Sequence, residues 1–360
     1  MGPDCFFSRP ALLRSTQVLL SPRDQDTHGA LAASLFVDSQ KCFPLYSPHA
    51  SVEREYEIKD VSMTTKLLLI STLILLLLLC AVTPAMALEI ISKSPYSGAL
   101  VIDAATGRVL FEDNADAKGY PASITKLMLL LVILEAVEAH RLTLDEPVRV
   151  TARASKIGGS QVYLKENEVF PVDELLYALV VQSANDAAVA LAIHYAGSKE
   201  AFVRLMNARA QEIGMRETVF HSVHGLPPGR AQLPDVSTPR DIAKLCRELL
   251  KKPDALRYTS TKRRAFRAEA AEPFMLVNHN RLLRNTQGCD GLKTGYFRAA
   301  GFSIAATATR NDQRAIAVVL GALNGRVRDA KAREILAKGL QKLVMLATPP
   351  APARAPHTAH

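Results

Sequence analysis

Apolar positions divide this chain into stretches of different period. Residues 67–82 form a Leu-rich apolar run. Sixteen residues are few for a membrane span, which needs about 20. Further on, the stretches 98–112 and 301–322 carry short apolar runs of strand type. Between them the period is helical. After Pro121, residues Leu127, Leu130, Leu131, Leu134 and Val137 repeat every three or four positions, which predicts a helix with Ser123 in its first turn. The runs Leu175–Val181 and Ala187–Ile193 predict two buried helices joined tightly through Ser183-Ala184-Asn185. Ile242, Leu245, Cys246 and Leu249 make the apolar stripe of another helix. Strand patterns from both ends around a helical middle predict a mixed α/β (α+β) fold. An antiparallel sheet would be built from both ends of the folded region, flanked by helices, with an all-helical subdomain. No internal repeat is visible.

The segments outside that region carry other signals. Met63-Thr64-Thr65-Lys66 precedes the apolar run and Ala85-Met86-Ala87 follows it. A basic start, an apolar middle and a small-x-small end are the parts of a secretory signal peptide, here residues 63–87, so that the mature chain begins at Leu88 or a near neighbour. The alternative is an uncleaved anchor. Cys80 invites a lipoprotein reading, but Leu79 before it is too large for that processing site. Signal peptides stand at the N-terminus, so Met63 is the expected start of translation. Residues 1–62 lack periodicity, and if made they are expected to be disordered. Residues 348–360, rich in Pro and Ala, read as a flexible tail.

The formal net charge is +9. Residues 1–87 hold 7 Lys/Arg and 8 Asp/Glu, so their removal raises it to +10. A basic exported protein suits an anionic wall polymer or peripheral contact with an anionic membrane surface. There is no Trp and no nucleic-acid motif, which argues against nucleic acid as a partner. The mature chain keeps Cys246 and Cys289. The stripe position of Cys246 predicts a buried free thiol, with a disulfide left open in an oxidising compartment.

The candidate chemistry lies in three short motifs: Ser123-Ile124-Thr125-Lys126, Ser183-Ala184-Asn185 and Lys293-Thr294-Gly295. Singly, each has an ordinary reading: a buried helix start, a turn with capping residues, and a solvated edge-strand lysine that discourages aggregation. Together they suit acyl transfer. A serine hydroxyl is a weak nucleophile until a base takes its proton, and a lysine serves only if burial or nearby cations lower its pKa. Positions i and i+3 share a helix face, which sets Lys126 beside Ser123. A helix N-terminus favours developing negative charge. His221 and His224 have the spacing of metal ligands, but no third ligand is near and Gly225-Leu226-Pro227-Pro228-Gly229 is a loop, so they read as structural.

Such a set of three motifs is known from penicillin-binding proteins and class A β-lactamases. From about Ser94 to Val344 the chain resembles the low-molecular-mass penicillin-binding proteins, the serine-type D-alanyl-D-alanine carboxypeptidases. The likeness also covers the hairpin Val101–Leu110, Tyr120-Pro121-Ala122-Ser123, Phe220–Leu226, Ser237-Thr238-Pro239-Arg240-Asp241, Asn278–Leu283 and Gly291–Tyr296. It implies a carboxypeptidase (transpeptidase-like) domain over residues 88–347 with the penicillin-binding-protein/β-lactamase fold. It further implies that Ser123 is acylated with Lys126 as base, that Ser183 and Asn185 complete a proton network, and that Lys293, Thr294 and Arg328 hold the substrate's terminal carboxylate. Gly295 would allow close approach of substrate, and the N–H groups of Ser123 and Tyr296 would form the oxyanion hole. The implied partners are peptidoglycan stem peptides, with β-lactam antibiotics as covalent inhibitors, and no metal or organic cofactor is called for. The place of action is the periplasm or cell envelope.

Two departures from the family stand out. Tyr296 replaces the histidine that some members carry after Lys-Thr-Gly. The β-rich second domain and the anchoring helix of larger members are not evident. That the second domain is not evident keeps D,D-endopeptidase cleavage of crosslinks as an alternative. A class A-like β-lactamase needs a carboxylate to activate water, and Glu217, lacking the Asn that ends that signature, reads as a surface residue. A non-catalytic wall-binding or β-lactam-sensing protein fits poorly with three intact motifs.

Overall fold

In a computed structural model, residues 62–81, 95–229 and 232–347 are described. The upstream segment 1–61, the expected cleavage region 82–87 and the tail 348–360 lie outside them. The apolar run is helix α1 (Met63–Ala81), whose side chains from Leu67 to Leu75 are exposed. It belongs to a separate unit and is described by itself.

The second unit is organised by a five-stranded antiparallel sheet. Strands β1 (Gly98–Asp103) and β2 (Val109–Asp113) form the first hairpin. The last three strands are β7 (Cys289–Phe297), β8 (Gly301–Arg310) and β9 (Gln313–Ala322). The order β2-β1-β9-β8-β7 sets β1 beside β9, so the two ends of the folded region are adjacent, as the strand patterns predict. Successive side chains of a strand point to opposite faces. Leu100, Ile102, Ala305, Ile316, Val318 and Leu320 therefore join the core with the helical region. Ala99, Val101, Ile304, Ala306, Ala317 and Val319 pack beneath α10 (Gly325–Ala347). Because both faces are covered, the strands read as continuous apolar runs rather than alternating ones.

The middle of the chain is mainly helical. A 3₁₀ turn, Ala122–Thr125, leads into α2 (Lys126–Glu138). Besides the periodic leucines of α2, Met128, Leu129 and Ile133 on its other side are equally buried, so the helix lies inside the core. Around it run β3 (Pro147–Arg149), α3 (Ala152–Ser155), β4 (Val169–Pro171), α4 (Val172–Val181), α5 (Asn185–Ala196) and α6 (Lys199–Glu212). The start of α6 is capped by the Ser198 hydroxyl, which accepts from the N–H of Ala201 at 3.1 Å. The helix α7 (Pro239–Leu249) begins with Thr238 as cap and Pro239 in its first turn, and Cys246 is fully buried in it. Then follow α8 (Ala255–Thr259), β5 (Arg263–Phe266), β6 (Phe274–Val277) and the single turn α9 (Leu282–Asn285). Cys246 and Cys289 are both free thiols.

The packing predicts a sharp contrast between two leucines. Leu130 is fully buried in α2, whereas Leu205 on α6 is 41% exposed. Leu130→Ala should lower the unfolding free energy by about 2–5 kcal/mol, and Leu205→Ala should change it by less than about 0.5 kcal/mol. Urea unfolding followed by circular dichroism measures both, and equal losses would contradict this assignment of the core.

Candidate active site

The site begins with a local constraint on the backbone. Ala122 adopts φ +48°, so the chain leaving Pro121 cannot enter an α-helix at once. It closes instead as a 3₁₀ turn, with the N–H of Ile124 donating to the Pro121 carbonyl at 3.1 Å. Ser123 therefore sits just ahead of α2 rather than in its first turn, and Lys126, the first residue of α2, reaches back to it. Two glycines press on this turn. Gly225 has φ +77°, and a Cβ there would collide with the Ala122 carbonyl oxygen. A Cβ on Gly295 would collide with the Pro121 carbonyl oxygen and stand 3.1 Å from the Ser123 nitrogen. The outer edge of β7 is thus laid directly against the Ser123 backbone.

Lys126 is fully buried and has three oxygen partners. Its Nζ lies 3.1 Å from Ser123 Oγ, 2.8 Å from Asn185 Oδ1 and 2.7 Å from the His224 carbonyl oxygen. Burial, followed by the neighbouring Lys293 cation, pushes its pKa well below the usual lysine value, and the buried carboxylates of Asp235 and Asp186 oppose this in part. As a neutral amine, Lys126 can donate to Asn185 and His224 and turn its lone pair to the Ser123 hydroxyl.

Asn185 opens α5 and is fixed on both sides. Its Nδ2 donates to the Gly158 carbonyl at 2.7 Å, which turns Oδ1 to Lys126, and its backbone N–H donates to the Ser160 carbonyl at 2.8 Å. Ser183 occupies the tight link between α4 and α5 at φ +64°, and its side chain lines the same cleft. The motifs separated by 60 residues in sequence therefore meet, as predicted.

The third motif is not at a solvated edge. Lys293 is 2% exposed, because the Ser123 turn covers the free side of β7. Its Nζ donates to the Thr294 carbonyl at 3.2 Å. Burial and then the Arg328 cation bring its pKa down to about 7. Arg328, near the start of α10, is itself buried and donates through Nε and Nη2 to Asp329 Oδ1 at 2.8 and 2.7 Å. Thr294 is buried, while Tyr296 is 54% exposed and stacks on Phe302 with centroids 4.1 Å apart. Ser123, Ser183, Asn185, Thr294, Tyr296 and Arg328 all line one cleft of about 910 Å³. Glu217 is a surface residue paired with Lys118, as expected.

Two supports of the site carry no sequence signature. One is the His224 carbonyl, since a backbone acceptor does not depend on residue type. The His224 ring serves locally, its Nδ1 accepting from the N–H of Leu226 at 3.1 Å, and burial followed by the Lys126 cation holds its pKa down at about 3. The other is Asp235, in the plain stretch Leu233-Pro234-Asp235-Val236. Its buried carboxylate accepts from the N–H groups of His221 and Ser222 at 2.7 and 2.8 Å, and from the Thr125 and Ser222 hydroxyls at 2.9 Å each. Asp235 thereby ties the 221–225 loop, and with it the His224 carbonyl, to the Ser123 turn. Burial raises its pKa against the pull of those four donors.

The chain is similar to proteins of known kind. The sequence model of peptidase family S11, described as D-alanyl-D-alanine carboxypeptidase, matches residues 83–324. The D-alanyl-D-alanine carboxypeptidase DacF of Bacillus subtilis is 37% identical over 238 residues, 66% of this chain and 60% of that protein. The D-alanyl-D-alanine endopeptidase of Escherichia coli is 31% identical over 247 residues, 67% of this chain and 75% of that protein. The solved structure of penicillin-binding protein D2 from Listeria monocytogenes in its ampicillin-bound form matches with a TM-score of 0.61 at 31% identity, over 69% of this chain and 97% of that one. The match spans about 60% of the length of the carboxypeptidases DacF and DacC.

The clamp made by Asp235 gives a prediction. Asp235→Ala would strip four donors of their acceptor and should lower the unfolding free energy by about 2–4 kcal/mol. Hydrogen exchange of the 221–225 amides should quicken at the same time. Unchanged exchange there would show that the loop is held by something else.

Proposed function

We propose that this chain, which belongs to the S11 family of D-alanyl-D-alanine carboxypeptidases, is an exported serine peptidase that removes the terminal D-alanine from peptidoglycan stem peptides. The observation that carries this reading is the buried amine of Lys126, held 3.1 Å from Ser123 Oγ with its pKa lowered. In the proposed reaction, the Ser123 oxygen attacks the carbonyl carbon between the two D-alanines while its proton passes to Lys126. The tetrahedral oxyanion is met by the N–H groups of Ser123 and Tyr296. The C–N bond then breaks, and the departing amine takes the proton through Lys126 and the Ser183 hydroxyl. Water, deprotonated by the same lysine, attacks the Ser123 ester and frees the shortened peptide. Lys293, Thr294 and Arg328 hold the terminal carboxylate, and Asn185 holds Lys126 and the substrate backbone.

β-Lactams are the proposed covalent inhibitors, supported by the likeness to an ampicillin-bound structure. The signal-peptide pattern and a +10 mature charge support a place in the periplasm or cell envelope. Cleavage of peptide crosslinks is the second reading, favoured by the likeness to a D-alanyl-D-alanine endopeptidase.

Benzylpenicillin should leave a covalent adduct on Ser123, identified by mass spectrometry of a digest. Lys126→Arg keeps a cation that cannot accept a proton and should slow this acylation by about 10²–10⁴-fold. An adduct elsewhere, or an arginine variant that acylates at the normal rate, would refute the assignment. Incubation with defined muropeptides, with products weighed, separates carboxypeptidase from endopeptidase action.

The cations near the carboxylate predict a pH effect. Lys293 binds a carboxylate in its protonated form, and its pKa of about 7 means that this charge is lost as pH rises through neutrality. KM for a free-acid D-Ala-D-Ala peptide should therefore climb above pH 7. Arg328→Ala removes a cation that lowers the Lys293 pKa, so the alkaline limb should move to higher pH. The same change should slow free-acid cleavage by about ten- to a hundred-fold. Equal loss on a substrate whose terminal carboxylate is an amide would show that Arg328 serves only its helix through Asp329.

A further inference from the structure

We infer that the cleft holds a second anion subsite, formed by Arg281, Arg284 and Arg326, for a peptide carboxylate other than the terminal one. For the class of substrate the inference rests on the carboxypeptidase reading. Among the described residues, four arginines line the cleft and no Asp or Glu does. Arg328 is accounted for: it is buried, paired with Asp329 and close enough to Lys293 to lower its pKa. The other three are exposed. Among the described residues, Arg284 donates only to the Asn278 carbonyl, at 3.2 Å. Neither Arg281 nor Arg326 has a side-chain partner among the described residues. On the preceding segment, by contrast, Arg257, Arg264 and Arg267 are each paired with a carboxylate.

The rim is held in place by its supports. Arg333 on α10 donates to the Thr286 hydroxyl at 3.3 Å and to Asn285 Oδ1 at 3.4 Å, tying the start of α10 to α9. Asn280 donates to the Gly291 carbonyl at 2.9 Å, tying the turn that carries Arg281 to β7. Three guanidinium groups lining one cleft, with no counter-charge among the described residues, repel one another and concentrate anions there. Their planar forks suit carboxylates, two hydrogen bonds to each. A substrate with a single carboxylate would use Lys293, Thr294 and Arg328 and leave this rim empty, whereas one with a further free carboxylate would fill it. That carboxylate can come from the acyl side of the scissile bond or from the leaving group.

The test measures binding, so that it does not depend on turnover. In a Ser123→Ala background, the triple change Arg281→Gln, Arg284→Gln, Arg326→Gln is compared with the parent by NMR titration. Acetyl-Glu-D-Ala-D-Ala and acetyl-Gln-D-Ala-D-Ala probe the acyl side, and acetyl-Ala-D-Ala-D-Glu and acetyl-Ala-D-Ala-D-Gln probe the leaving side. The triple variant should raise Kd about tenfold for at least one glutamate peptide and less than about twofold for its glutamine partner. Whichever glutamate peptide responds identifies the side that the rim serves. Lysine in place of each arginine should restore much of the affinity, and 0.5 M salt should abolish the preference. Equal weakening of glutamate and glutamine peptides, or no weakening of either glutamate peptide, would overturn the inference. If enzyme with Ser123 intact cleaved none of these peptides while the binding ratios held, the carboxypeptidase reading would fall and the anion subsite would stand.

Discussion

The site depends on keeping the Lys126 amine out of water. An exposed lysine is protonated at neutral pH and cannot accept a proton from serine. Burial alone would leave the amine without partners, at a cost of several kcal/mol. The fold meets both demands by supplying three oxygens, from Ser123, Asn185 and the His224 backbone. Each comes from a different segment, so the 3₁₀ turn, the α4–α5 link and the 221–225 loop must all converge on one nitrogen. Asp235 secures the most irregular of the three.

That convergence explains the unusual edge of the sheet. A strand at the end of a sheet normally offers its free backbone to solvent, and a charged side chain guards it. Here the Ser123 turn occupies that position against β7, and the fit is close enough that only glycine is accommodated at residue 295. Lys293 then becomes a buried cation rather than an edge guard. It lies close enough to Lys126 to depress the pKa of the proposed base, so the proposed carboxylate site and the proposed base are coupled by charge. Arg328 extends the coupling by acting on Lys293 in turn. An arriving carboxylate would neutralise part of this cluster.

Much was legible in the sequence by itself. Strand runs at both ends and helical periods between them predict an antiparallel sheet built from both ends of the folded region, because such runs must bury their faces and the two ends supply the strands; that β1 pairs with β9 is a finding of the structure. The three motifs mark Ser123, Lys126, Ser183, Asn185, Lys293 and Thr294, since their side-chain chemistry is tied to residue type and local spacing. Tertiary structure alone decided the rest. Ser123 stands before α2 rather than within it, because Ala122 takes a positive φ between the contacts made by Gly225 and Gly295. The His224 carbonyl and the Asp235 carboxylate act through position, and Lys293 is buried because a distant turn covers its strand. Residue type and periodicity record what a side chain can do and which face it turns inward. Which distant backbone arrives beside it, and so whether an amine keeps or loses its proton, is set only when the chain closes on itself and excludes water.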